Sequence, residues 1–264
     1  MDYKRATDNI RGELKDYLKQ TGLKSLVIGV SGGIDSAVCV ALAKPVCDEL
    51  GVTLIGRSLP ILTNKPDEID RARMAGECFC HDFKEVKTLE IPYIDLEERI
   101  HFVEEMENSK IAQGNLKARL RMIYLYNVAG MNQGMVLSTD NYTELLLGFW
   151  TLHGDVGDYG MIQQLWKTEV YGLAKYLADC LEDDRAKEAL RACIAATPTD
   201  GLGVSNSDLE QIGARSYEEV DIILMDYVID GNATFKDHPV IQRYKRSQFK
   251  RDNPYNLPRE LIVK

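Results

Sequence analysis

Gly29-Val30-Ser31-Gly32-Gly33-Ile34-Asp35-Ser36 is the segment of this chain best equipped for chemistry. Ser31, Gly32 and Gly33 permit a sharp turn that exposes successive backbone N–H groups, and the hydroxyls of Ser31 and Ser36 add donors. An anion at that turn meets free amides and the positive end of the helix that follows. Asp35 aims a carboxylate at the same place. It would repel a phosphate unless a cation lay between them, so its natural role is as a Mg²⁺ ligand. The segment lacks the Gly-Lys-Ser/Thr of a Walker A loop and the GxGxxG of the dinucleotide fingerprint. The bland alternative is a glycine-rich turn with Asp35 as a helix cap.

A second group is Ser138-Thr139-Asp140-Asn141-Tyr142-Thr143-Glu144, which reads as a strand end and a helix start. Glu144 falls in the first turn of that helix. With Asp35 it could hold Mg²⁺, or it could simply answer the helix dipole. Lys117, Arg119 and Arg121 alternate with apolar residues beside Tyr124 and Tyr126, a pattern that a solvated helix shares. Cys78-Phe79-Cys80-His81 has no second pair of ligands to complete a zinc site, and the six cysteines read as reduced thiols, mostly core filler. His81, His101 and His238 read as surface or cap residues; His153, beside Gly154-Asp155, is a candidate for lining a site.

The elements that must position these groups follow from periodicity. Ile10, Leu14, Tyr17 and Leu18 form one stripe of a first helix ended by Gly22. Leu26-Val27-Ile28-Gly29-Val30 reads as a strand buried on both faces. A helix follows over about 36–43, which Pro45 should break or kink. Strands are expected at 52–55, 86–91 and 135–137, and helices from Pro66 and over 96–106 and 116–128. After Gly160 the chain reads as mostly helical, at 167–181, 217–229 and 235–249. Strands alternating with helices predict an α/β fold: a doubly wound parallel sheet with helices on both faces and a helical C-terminal part. Ligands of such sheets bind beyond the carboxyl ends of the strands.

Composition narrows the class. The chain has 264 residues, 45% hydrophobic and 28% charged, which is ordinary globular usage. Its net charge of −9 lacks the broad basic field of a nucleic-acid binder, although Arg243, Lys245, Arg246, Lys250 and Arg251 cluster near the C-terminus. No apolar run is long enough for a membrane span and no signal core follows Met1, so no membrane association and a cytoplasmic location are expected.

The octet 29–36 resembles the pyrophosphate loop, S-G-G-x-D-S, of the ATP pyrophosphatases, a superfamily with the adenine nucleotide alpha-hydrolase-like fold that cleaves ATP between its α- and β-phosphates. Gly114-Asn115-Leu116-Lys117-Ala118-Arg119-Leu120-Arg121-Met122, then Ser138-Thr139-Asp140 through Glu144, Gly148-Phe149 and Gly154-Asp155, resemble the signatures of ammonia-dependent NAD synthetases.

That resemblance implies ATP-dependent amidation of deamido-NAD with ammonia. The carboxylate attacks the α-phosphorus, pyrophosphate leaves, and ammonia attacks the acyl-adenylate to give the amide and AMP. It implies ATP binding by Gly29, Val30, Ser31, Gly32, Gly33, Ile34, Asp35, Ser36, Thr139, Lys167 and Thr199, and Mg²⁺ held by Asp35 and Glu144. Asp35, Asp155 and Lys167 are the expected catalytic residues, Asp155 as the base or the carboxylate that holds ammonium. Tyr17, Arg119, Tyr126, Phe149, Asp158 and Lys250 are expected to contact deamido-NAD, the two tyrosines across a homodimer interface. Residues 1–264 are expected to form one synthetase unit with no glutaminase domain.

There are departures. Leu152 stands where the family has a lysine, Phe249 where it has a histidine, Val156 where it has a glycine, and Ser58-Leu59-Pro60 where an Arg-Leu-Pro contacts the adenosine end, Arg57 lying one residue off. Two other readings stay open: another ATP pyrophosphatase such as a GMP synthetase-like subunit, and a nucleotide-binding module without turnover.

Overall fold

The computed structural model describes residues 1–104, 109–199, 203 and 207–263. Along the chain the strands are β1 (Ser25–Gly29), β2 (Thr53–Ser58), β3 (Asp82–Glu85), β4 (Gly134–Ser138) and β5 (Tyr159–Gly160). They lie side by side in the order β3-β2-β1-β4-β5, every pairing parallel. Leu26, Val27 and Ile28 of β1 are fully buried because helices cover both faces of the sheet. The strand order reverses between β1 and β4, which makes their carboxyl ends the switch point.

The helices are α1 (Tyr3–Thr21), α2 (Ile34–Leu50), α3 (Pro66–Phe79), α4 (Glu90–Glu104), α5 (Lys110–Met131), α6 (Tyr142–Leu147), α7 (Lys167–Cys180), α8 (Asp184–Ala195), α9 (Asp208–Ile212), α10 (Tyr217–Leu224), α11 (Pro239–Arg246), α12 (Gln248–Arg251) and α13 (Arg259–Ile262). α1, α2, α3, α7 and α8 pack on the face shown by Leu26 and Ile28. α4 and α5 cover the opposite face around Val27. A third cluster joins α6, α9, α10 and α11 around Leu147 and Leu224. The doubly wound sheet and the helical C-terminal part are therefore as the sequence predicts. α1 is also as expected, with Asp2 accepting from the Arg5 amide and Gly22 ending the helix at φ 68°.

Several expectations are corrected. Pro45 does not break α2, which runs on to Leu50. Proline leaves the Ala41 carbonyl without its helical donor, and Arg11 of α1 supplies one, donating to Ala41 O at 3.2 Å and Leu42 O at 3.4 Å. The third strand is Asp82–Glu85, not 86–91, and α4 already begins at Glu90. As an edge strand β3 buries little, so its polar sequence hides it. Helix 217–229 is α-helical only to Leu224 and continues as a π turn over Met225–Ile229, and 235–249 is split into α11 and α12. α8 was not anticipated at all, and the Met106 end of the 96–106 helix lies outside the described residues.

Candidate active site

β1 ends at Gly29, and the chain turns through residues 30–33 into α2, capped by Gly33. Gly32 sits at φ 83°, and a Cβ there would meet the Glu68 carbonyl oxygen at 2.2 Å, so only glycine fits. Inside the turn the hydroxyls already answer amides. Ser36 Oγ accepts from the Ser31 N–H at 3.2 Å, and Ser31 Oγ accepts from the Gly33 N–H at 3.2 Å. Asp35 falls in the first turn of α2 and faces β4 across the switch point.

β4 leads into α6 through Thr139, Asp140 and Asn141. Asn141, fully buried, accepts from the Glu144 amide and donates its side-chain amide to Asp35 Oδ1 at 3.0 Å. One capping box therefore fixes Glu144 and Asp35 together. Lys167, first residue of α7, completes the group: its Nζ donates to Asp35 Oδ2 at 2.5 Å and to Glu144 Oε1 at 2.9 Å. It also lies 5.1 Å from the centre of the Tyr217 ring.

Burial pulls the Lys167 pKa down; the charges of Asp35 and Glu144 outweigh that and hold it well above the ordinary lysine value. The same burial pushes the Glu144 carboxyl up to about 7, with Lys167 opposing the rise. Asp140 and Asp155 are raised as well, by burial first, and Glu144 is the largest charge acting on Asp140.

These groups line one cavity of about 570 Å³, the size of a small-molecule site. Of the residues singled out from sequence, Gly29, Val30, Ser31, Gly33, Ile34, Asp35, Thr139, Glu144, Phe149, Asp155, Lys167, Thr199 and Lys250 lie on its wall. Gly32 and Ser36 stand just behind it, shaping the turn. Thr199 donates to Glu68 Oε1 at 2.8 Å; its neighbour Asp200 lies outside the described residues. Lys250 donates to Gly148 O at 2.8 Å and to Trp150 O.

Tyr17, Arg119, Tyr126, Asp158 and His153 do not line the cavity. Tyr17 packs on Tyr159 with ring centres 4.8 Å apart, Arg119 donates to Leu152 O at 3.2 Å, and Tyr126 donates to Asp158 Oδ1 at 2.7 Å. Arg57 lines the cavity but is tied to Asp82 at 2.6 Å. His238 caps α11, accepting from the Val240 amide, and His81 bridges the Leu54 amide and Asp48. Sequence reasoning passed over Asn141 and Asp140 as site residues. The N-x-x-E spacing of Asn141 and Glu144 was the signal for the first, and the place of Asp140 in the 138–144 signature was the signal for the second.

A family model described as NAD synthase matches residues 6–254. The chain belongs to the NAD synthase family. It is 35% identical over 263 residues to an NH(3)-dependent NAD(+) synthetase of Thermoplasma acidophilum, covering 97% of this chain and 98% of that one. Among solved structures it is similar to an NMN synthetase from Francisella tularensis, with a TM-score of 0.79, 26% identity, and 98% and 99% of the two chains covered. It is similar also to an NH3-dependent NAD synthetase from Campylobacter jejuni, with a TM-score of 0.71, 25% identity, and 98% and 100% covered.

Proposed function

We propose that this chain amidates deamido-NAD with ammonia at the expense of ATP, through an acyl-adenylate, releasing AMP and pyrophosphate. One observation carries the reading. Asp35, Glu144 and Lys167 come from three helix starts and meet within 2.9 Å beside a glycine-turned loop, in a chain of the NAD synthase family. The loop residues 29–36, Thr139, Lys167 and Thr199 bind ATP.

Mg²⁺ fits Asp35 and Glu144. The two carboxylates already share one cation, the Lys167 ammonium, and Mg²⁺ takes one or two carboxylates together with phosphate oxygens and water. When bound it neutralises charge on the triphosphate. The chain's own groups do the rest. The amides of the loop and the Lys167 ammonium meet the charge that moves onto the leaving pyrophosphate. Asp155 takes the proton that ammonium must lose before it attacks; burial raises its proton affinity, which suits that task.

Phe149 and Lys250 contact deamido-NAD from the cavity wall. Arg119 and Asp158 contact it from beyond that cavity wall, and Tyr17 and Tyr126 contact it across a homodimer interface. The homodimer is supported by the half-exposed rings of Tyr17 and Tyr126. It takes free ammonia as the nitrogen source and works in the cytoplasm. Among the described residues no helix is long and apolar enough to cross a membrane.

A second reading is favoured by the likeness to the NMN synthetase: amidation of the corresponding mononucleotide. Leu152, Ser58 and the tethered Arg57 weaken the contacts expected at the adenosine end of a dinucleotide. Supplying deamido-NAD and deamido-NMN side by side separates the two. NAD and AMP in equal amounts, dependent on ammonium, support the first. A higher kcat/KM with the mononucleotide supports the second. No AMP with either substrate overturns both.

A further inference from the structure

The groups that hold Glu144 and Lys167 in register lie one layer behind them, on α10. Asp221 is 2% exposed and Thr143, beside Glu144, is 0% exposed. Thr143 Oγ1 donates to Asp221 Oδ1 at 2.5 Å and accepts from the Lys167 backbone N–H at 2.9 Å. The other oxygen, Asp221 Oδ2, accepts from Thr168 N at 3.0 Å and Thr168 Oγ1 at 2.8 Å. One carboxylate therefore binds the first turns of both α6 and α7, the helices that deliver Glu144 and Lys167. One helical turn earlier on α10, Tyr217 lies beneath the Lys167 ammonium. α10 thus supports Lys167 at both its backbone and its charged end.

We propose that Asp221 is a positioning residue: through the Thr143 hydroxyl it fixes the spacing between Glu144 and Lys167, and so the site that receives the triphosphate. A carboxylate suits the place because all three of its neighbours there donate, and an amide would turn an N–H toward one of them. The proposal rests on the reading of the site as the ATP site.

The test compares Asp221→Asn, Thr143→Val and Thr143→Ser as full chains, by turnover and by calorimetric binding of ATP in the presence of Mg²⁺. Asp221→Asn and Thr143→Val are expected to lower kcat by about 10- to 100-fold and to weaken ATP binding by roughly 10-fold, as outer groups around metal sites do. KM for deamido-NAD should move by less than about 2-fold, because its contacts lie elsewhere. Thr143→Ser keeps the hydroxyl and should stay within about 3-fold of wild type. Wild-type kcat and ATP affinity in Asp221→Asn, or equal behaviour of Thr143→Val and Thr143→Ser, would overturn the proposal. If Asp221→Asn does not fold, the Thr143 pair decides alone. A wild-type chain that binds ATP but forms no AMP sinks the functional reading instead, and the binding comparison still tests Asp221.

Discussion

Lys167 is the residue on which the site depends electrostatically. It is 2% exposed and is the counter-ion of two part-buried carboxylates. Lys167→Met leaves Asp35 and Glu144 uncompensated and should cost about 3–5 kcal/mol in urea unfolding at pH 8, with loss of turnover. The deficit should shrink in acid. Glu144 already has its carboxyl raised to about 7, above the ordinary 4.5, so the folded state binds that proton more tightly than the unfolded state does. Stability from that proton is present at low pH and lost as pH rises through about 7, and removing Lys167 raises the carboxyl further. A variant equally unstable at pH 5 and pH 8 would contradict this. At this scale the loop, Asp35 and Glu144 were legible because each belongs to a local pattern, whereas Lys167 came only from the family resemblance. Asp221 was not: it sits in an apolar helix stretch, and its partner Thr143 is 78 residues away.

At the scale of elements, the continuity of α2 past Pro45 shows why local rules failed there. The proline removes a donor, and the replacement arrives from Arg11, about 30 residues earlier. Arg11→Ala should destabilise the protein by about 1–3 kcal/mol, since it leaves the Ala41 carbonyl unanswered. In a Pro45→Ala background, where the amide returns, the loss should be smaller; strictly additive effects in the double-mutant cycle would rule the compensation out. Gly32 gives a second element-level prediction. Gly32→Ala places a methyl 2.2 Å from Glu68 O at a positive φ, so the junction of β1, the loop and α3 must shift. Calorimetry should find ATP binding lost or greatly weakened, and wild-type affinity would show that the turn has no such constraint. β3 escaped sequence reasoning because an edge strand pairs on one side only and needs no apolar run.

At the scale of the molecule, the doubly wound sheet was legible from alternating buried strands and helices, and the position of the cavity from the switch-point rule. The packing of the cysteines was legible only coarsely. Cys39, Cys47 and Cys193 are buried, and burial pushes the Cys47 thiol up to about 12, whereas Cys180 is exposed. A thiol reagent at pH 8 should therefore label Cys180 in a fast phase that Cys180→Ser abolishes; a fast phase that survives would contradict the packing. The role of the whole assembly is tested most directly with deamido-NAD carrying ¹⁸O in its carboxylate, incubated with ATP, Mg²⁺ and ammonium. Adenylation followed by amidation moves one carboxylate oxygen into AMP, so labelled AMP should appear in equal amount with NAD and only when ammonium is present. Unlabelled AMP, or NAD formed without AMP, would contradict the account.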